Sequence, residues 1–114
     1  MAKTSKTVGT LPGAFGKFAR RFPEVFEGYE AMGKAAHAGG PLDAKSRELV
    51  KLGMTIGARL EGATHSHVRK ALAAGATSDE IRHAAVLAIS TLGLPATVMA
   101  LTWVDDILDA KRRR

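Results

Sequence analysis

The amino-acid sequence predicts an all-α protein of about six helices. Residues typical of helix boundaries follow one another at helical spacings along almost the whole chain. No segment alternates apolar and polar residues in the way that a half-buried strand does. Hydrophobic residues make up 46% of the 114 residues but aromatic residues only 5%, and small apolar side chains allow helices to pack closely. We therefore expect a helical bundle.

Capping residues set the limits of the predicted helices. Pro23 suits the first turn of a helix, and Asp43 is a good N-cap. Gly75 is placed to end a helix, and residues 77–80, Thr-Ser-Asp-Glu, form a capping box before the next one. The predicted helices cover residues 12–20, 23–37, 43–60, 60–74, 78–92 and 95 onward.

The composition excludes several kinds of chemistry. The chain contains no cysteine, which rules out disulfides, thiolate metal sites, cysteine nucleophiles and dithiol redox cycles within it. Its net charge is +6, but much of that charge lies near the two ends, and no motif for nucleic-acid binding accompanies it. We therefore expect no nucleic-acid partner.

Two further expectations concern organisation and location. We expect one domain over residues 11–110, between a flexible basic tail at 1–10 and a basic tail at 111–114. Residues 1–10 lack the apolar stretch of a signal peptide, which favours a cytoplasmic protein. Residues 84–104 carry no charge, but Gly93-Leu94-Pro95 divides this stretch into two shorter helices, so we expect no membrane span.

The helix predicted at 78–92 favours a homo-oligomer. Its apolar residues cover two sides: Ile81 and Ala85 lie on one, Val86 and Leu87 on the other. One side can pack within its own domain, and a second copy of the chain is the simplest partner for the other. The alternative is a helix at the centre of its own bundle.

His67 is the histidine most suited to a functional role. On a helical wheel it lies in a stripe with Ala63, Ala71 and Ala74, whose small side chains leave room for a ligand beside the ring. The alternative is a buried histidine bonded to a backbone carbonyl. His65 lies about 160° away around the helix, so the two rings cannot readily share an ion, and we assign no metal site.

Two other polar residues have open roles. Glu48 lies near the edge of an apolar helix face, where it either favours the helix start, pairs with a basic neighbour, or forms an acid–base pair with His67. His83 lies on the less apolar side of its helix and faces either an interface or a cleft.

The chain resembles the carboxymuconolactone decarboxylase and alkyl hydroperoxidase D superfamily over about residues 23–108. The resemblance is carried by Leu-Asp-Ala-Lys-Ser-Arg-Glu-Leu at 42–49, Glu61, His-Val-Arg-Lys-Ala-Leu-Ala-Ala-Gly-Ala-Thr at 67–77, and Asp-Glu-Ile at 79–81. It implies an alkyl hydroperoxidase D-like bundle that assembles into trimers or hexamers. Glu48 and His67 match the family's glutamate and histidine, whereas Leu60 and Ala63 occupy the places of its two cysteines.

This departure implies a member that cannot carry out dithiol peroxidase chemistry. The decarboxylase branch also works without the cysteine pair, which implies acid–base chemistry of a lyase or decarboxylase type on a small carboxylate, with no cofactor. His67 and Glu48 would then be catalytic. Arg59 or Arg69 would hold the anion, and His83 is a further substrate-binding candidate.

Two alternatives to this enzyme remain open. The first is a non-catalytic protein that binds a small molecule or serves as an oligomeric scaffold. The second is a metal-dependent catalyst that uses Glu48, His67 and a histidine from another helix or subunit. The decarboxylases also carry polar and acidic residues where this chain has Gly62 and Ala63, which leaves the substrate open.

Overall fold

All regular structure in the part of the chain described by this computed structural model, residues 13–110, is helical. This confirms the predicted all-α class. The predicted tails at 1–10 and 111–114 lie outside these residues, so the domain limits stay predictions. The helices are α1 (Gly13–Arg21), α2 (Pro23–Ala38), α3 (Ala44–Gly57), α4 (Glu61–Ala73), α5 (Ser78–Val86) and α6 (Leu94–Leu108), with one 3₁₀ turn at Leu87–Ser90.

The chain divides between Pro41 and Leu42 into two compact units. In the first unit, α1 and α2 form a helical hairpin around Ala19 and Phe26, which are both buried. Pro23 begins α2 as the sequence predicts, because its fixed backbone angle suits a first turn and its missing N–H is not needed there.

The second unit contains α3, α4, α5, the 3₁₀ turn and α6. Helix α4 packs against both α3 and α6, and α5 also packs against α6. The apolar stripe of each helix meets in one core, as expected for amphipathic helices that bury about a third of their surface. Its larger fully buried members are Leu52, Ile56, Val68, Ile81 and Val104.

The predicted helix starts in this unit are confirmed by their capping hydrogen bonds. The Asp43 carboxylate accepts a bond of 2.8 Å from the backbone N–H of Ser46. Thr77 and Glu80 form the expected capping box, each side chain accepting from the other residue's backbone N–H. These bonds satisfy backbone donors that have no partner inside the helix.

Helix α3 ends at Gly57 rather than near residue 60. Its last carbonyls are satisfied by a Schellman turn, in which the N–H of Arg59 donates to Ile56 and that of Leu60 donates to Thr55. This turn requires a left-handed residue, and Arg59 adopts it with φ 58°. The same turn ends α4 with Gly75 at φ 99°, as predicted.

The helix predicted at 78–92 is also shorter in the structure. The α-helical part stops at Val86, and the chain tightens into the 3₁₀ turn before Gly93, whose φ of 96° favours glycine. Helix α6 then begins at Leu94 with Pro95 in its first turn. No helix within residues 13–110 is both long and apolar enough to span a bilayer.

Candidate functional site

The candidate site lies where α3 packs against α4. On α3, Glu48 precedes Leu52 and Ile56 at intervals of four residues, so all three side chains lie on the buried face of the helix. On α4, His67 is next to the fully buried Val68 and one turn after Ala63. The core contacts of these two helices therefore place a carboxylate opposite an imidazole.

His67 and Glu48 form a hydrogen-bonded pair. Nδ1 of His67 lies 2.8 Å from Oε1 of Glu48, and the two side chains are only 12% and 10% exposed. A carboxylate can only accept, so the imidazole Nδ1–H is the donor. This contact orients the ring and leaves Nε2 as the nitrogen that can exchange a proton with a ligand.

A second pair of buried polar residues joins the same two helices. The hydroxyl of Thr64 donates to that of Thr55 over 3.0 Å, and Thr55 donates in turn to the carbonyl of Leu52 over 2.9 Å. Both threonines are buried, so unpaired hydroxyls here would be costly. The chain of bonds fixes how α3 and α4 face each other beside the histidine–glutamate pair.

The two positions that match the cysteines of the resembled family lie at the start of α4. Leu60 is the N-cap residue, makes no side-chain cap and is 51% exposed. Ala63 is half-buried in the first turn and lies on the same face as His67. Neither side chain carries a group that can donate or accept a proton.

Within residues 13–110, no hydrogen bond or ion pair joins the other predicted site residues to His67 or Glu48. Arg59 is exposed in the turn before α4. Arg69 is exposed and lies two residues after His67, which places it about 160° away around the helix. Their predicted role as anion clamp, and that of His83 in substrate binding, stay predictions.

His83 lines a groove between α3 and α5. The groove has a volume of about 490 Å³ and is largely open to solvent. Glu80 is the other ionisable residue along it, and neither His67 nor Glu48 contributes to its lining. The apolar and small lining residues are Leu49, Val50, Gly53, Ala84 and Leu87.

Acidic residues at the C-terminal end of α6 pair with basic side chains of α4 and α5. Asp106 Oδ2 lies 3.0 Å from Nε2 of His65. Asp105 and Asp109 both accept hydrogen bonds from the guanidinium of Arg82, at 2.9 and 3.1 Å. The hydrogen bond to Asp105, together with the negative charges of Asp105 and Asp109, raises the pKa of Arg82.

His65 and Asp106 were not recognised as a pair from the sequence. They are 41 positions apart, and only the packing of α4 on α6 brings them together. One local signal was available: Glu61 and His65 are four residues apart, a spacing that places two side chains on the same helix face.

Comparisons with known proteins agree with the family resemblance of the sequence. The sequence model of the Carboxymuconolactone decarboxylase family matches residues 23–106, which include α2 to α5 and most of α6. An uncharacterised protein of Haemophilus influenzae is 36% identical over 58 residues, about half (51%) of this chain and of that protein. No solved structure matches the chain significantly.

Proposed function

Since the chain belongs to the carboxymuconolactone decarboxylase family, we propose that it is a thiol-independent acid–base catalyst that acts on a small carboxylate. The observation that supports this proposal is the 2.8 Å contact between Nδ1 of His67 and Oε1 of Glu48. A histidine oriented by a carboxylate is a recurrent arrangement for moving protons at neutral pH.

The proposed reaction is loss of carbon dioxide from a small carboxylated lactone. The bond between the carboxylate carbon and the ring breaks, and its electron pair moves into the adjacent unsaturated system to give an enolate. His67 delivers a proton from Nε2 to carbon and later regains one from water. Glu48 holds the ring by its other nitrogen and stabilises the imidazolium while it carries the proton.

The role of Glu48 follows from its hydrogen bond to Nδ1 of His67. Its carboxylate holds the ring by this nitrogen, whereas Nε2 of the ring is the atom assigned to proton transfer. We therefore assign it as a positioning residue and His67 as the catalytic residue. The substrate carboxylate needs a cationic partner, for which Arg59, Arg69 and His83 stay the candidates.

Dithiol peroxidase chemistry is excluded for this chain on chemical grounds. The chain has no cysteine, and the side chains at the matching positions, Leu60 and Ala63, cannot be oxidised and reduced in a thiol cycle. The imidazole and carboxylate of the pair transfer protons, not electrons. Any catalysis by this site therefore belongs to a different reaction class from peroxide reduction.

The test is a decarboxylation assay with carboxymuconolactone and related small carboxylated lactones, run in D₂O. We expect release of carbon dioxide and incorporation of one deuterium from the solvent at the carbon that receives the proton. His67→Gln should lower kcat by about 100-fold or more, the usual contribution of a general acid. His37→Gln, the same replacement at the end of α2, is the control and should keep the activity.

Absence of turnover with every lactone would contradict the enzyme proposal. So would equal activity in the wild-type and His67→Gln proteins. Binding of a carboxylate without turnover, measured by calorimetry and dependent on His67, would identify the non-catalytic small-molecule-binding alternative. The metal-dependent alternative requires activity that is lost with a chelator and recovered with added metal.

We also propose that the chain forms a homo-oligomer, with a trimer or hexamer as the expected size. In support of this, large apolar side chains over residues 86–98 are 40–59% exposed in the single chain. So many exposed large apolar side chains within one short segment are unusual on a monomer. They are Val86, Leu87, Ile89, Leu92, Leu94 and Val98.

Light scattering after size-exclusion chromatography tests the oligomer. Leu87→Asp should shift the protein to smaller species, since a charge at a buried apolar interface is costly. Met54→Asp, which changes an exposed apolar residue of α3 outside this segment, is the control and should leave the size unchanged. A wild-type monomer at all concentrations would contradict this part of the proposal.

A further inference from the structure

A second cluster of ionisable side chains lies between α4 and α6. Glu61 and His65 of α4 and Asp106 of α6 each offer one ligand atom, and these three atoms lie within 4.8 Å of one another. The closest pair is Nε2 of His65 and Oδ2 of Asp106, at 3.0 Å. This is the kind of convergence that a metal ion requires.

The two helices hold these groups in place. Glu61 and His65 are one helical turn apart, which directs both side chains to the same side of α4. Val68, three residues after His65 on α4, is fully buried in the core. Val104, two residues before Asp106 on α6, is also fully buried. The backbone positions that carry the ligands are therefore set by the packed core rather than by a loop.

The charge of the cluster also favours a cation. Two carboxylates face one imidazole, so the cluster keeps a net negative charge even when the ring is protonated. A divalent ion would neutralise both carboxylates and take the lone pair of Nε2. His65 and Asp106 are 21% and 27% exposed, while Glu61 is exposed, so an ion can enter from solvent.

We propose that Glu61, His65 and Asp106 form a binding site for a divalent transition-metal ion, with Zn²⁺ as the best match. One imidazole nitrogen and two carboxylate oxygens are ligands that Zn²⁺ accepts, and three protein ligands leave a coordination position open. Zinc bonds of about 2.0–2.1 Å in a tetrahedron bring ligand atoms to about 3.3 Å from each other. The exposed Glu61 side chain can close that distance by changing rotamer.

The site is separate from the proposed acid–base pair. His67 lies about 160° around α4 from His65 and pairs with Glu48 on α3, whereas His65 pairs with Asp106 on α6. The metal site therefore does not depend on the catalytic proposal. It also departs from the expectation of no metal site, which was based on the angle between His65 and His67 around the helix.

Calorimetric titration with ZnCl₂ and CoCl₂ tests the site in the full, tag-free chain after treatment with a chelator. We expect one ion per chain and a visible Co²⁺ spectrum with the intense bands of low coordination number. A saturating ion should raise Tm by several degrees, because it binds only the folded chain.

Glu61→Gln, His65→Gln and Asp106→Asn should each weaken binding about tenfold or more. His83→Gln, which removes an exposed histidine outside the cluster, is the matched control and should keep the affinity. Circular dichroism shows which variants are folded. Because Glu61 is exposed, Glu61→Gln should fold, and its metal affinity tests the site even if the other two variants do not fold. No stoichiometric binding, or binding unchanged by these replacements, would overturn the proposal.

Discussion

The imidazole of His67 donates from Nδ1 to the buried carboxylate of Glu48 over 2.8 Å. This contact selects the ring tautomer with the proton on Nδ1, because a carboxylate accepts and does not donate. It also joins α3 to α4 through a buried polar contact. Both consequences can be measured.

Removing Glu48 should change the tautomer of His67. In the wild-type protein, nitrogen NMR of the neutral ring should show the proton on Nδ1. In Glu48→Leu, which has a similar volume but no acceptor, the proton should move to Nε2, the form favoured by free histidine. Glu48→Gln keeps an acceptor and should retain the Nδ1–H form. An identical tautomer in all three proteins would show that the contact does not orient the ring.

The same variants separate positioning from simple stability. If Glu48 acts by orienting His67, Glu48→Gln should retain more decarboxylase activity than Glu48→Leu, and kcat should fall more than KM changes. If both variants lose the same activity in proportion to folded protein, the carboxylate has only a structural role.

The Thr55–Thr64 contact predicts that replacing Thr55 lowers the free energy of unfolding more than replacing Thr64 does. Thr55→Val leaves the buried Thr64 hydroxyl without its acceptor and should cost about 1–3 kcal/mol of unfolding free energy. Thr64→Val leaves the bond from Thr55 to Leu52 intact and should cost about 1 kcal/mol or less. The double variant should be more stable than Thr55→Val alone. Denaturant unfolding checks this, and strictly additive losses would contradict it.

The two Schellman turns predict that glycine at the left-handed position stabilises the protein and that a larger residue there destabilises it. Arg59 is in a left-handed conformation that costs a non-glycine residue about 1 kcal/mol, so Arg59→Gly should stabilise the protein by about that amount. Gly75→Ala is the matched test at the equivalent position of α4 and should destabilise it by about 1 kcal/mol. Thermal unfolding of both variants measures the difference.

The Arg59 variant also carries information about function. If Arg59 holds the substrate carboxylate, Arg59→Gly should raise Tm and weaken carboxylate binding at the same time, a common trade-off at functional sites. A stabilised variant with unchanged carboxylate binding would remove Arg59 from the candidate anion clamps.

The carboxylates of the two capping residues Asp43 and Glu80 predict how Tm changes with pH in acidic solution. The bond from the Ser46 N–H lowers the pKa of Asp43, and the bond from the Thr77 N–H, followed by that from Lys45, lowers the pKa of Glu80. A carboxyl whose pKa is lower in the folded chain than in the unfolded chain stabilises the folded state at pH values above its unfolded-chain pKa. That stabilisation is lost as the pH falls through the folded-chain pKa, so Tm should decline below about pH 4–5.

Asp43→Asn and Glu80→Gln remove these titrations while keeping side-chain acceptors. Each variant should therefore show a flatter dependence of Tm on pH below about pH 4–5 than the wild-type protein. An acid limb as steep in the double variant as in the wild type would mean that other carboxylates control acid unfolding.

Local chemistry made much of the fold predictable. The N-cap at Asp43, the capping box at 77–80, the left-handed Gly75 and the break at 93–95 each depend on residues within a few positions of one another. The exceptions show the limit of this reasoning. Arg59 takes a left-handed turn that arginine does not favour by itself, so the end of α3 could not be located from the sequence.

Three things follow from the sequence alone: the absence of thiol chemistry, the helical class, and the candidacy of Glu48 and His67. Each of them depends on residue type, local spacing or resemblance. Which groups touch was decided by tertiary structure. Glu48 meets His67, and Asp106 meets His65, only because the apolar faces of α3, α4 and α6 pack in one arrangement. The spacing of residues within α4 indicates which of them share a face, but only the packed core decides which neighbouring helix each face meets and therefore the partner of each histidine.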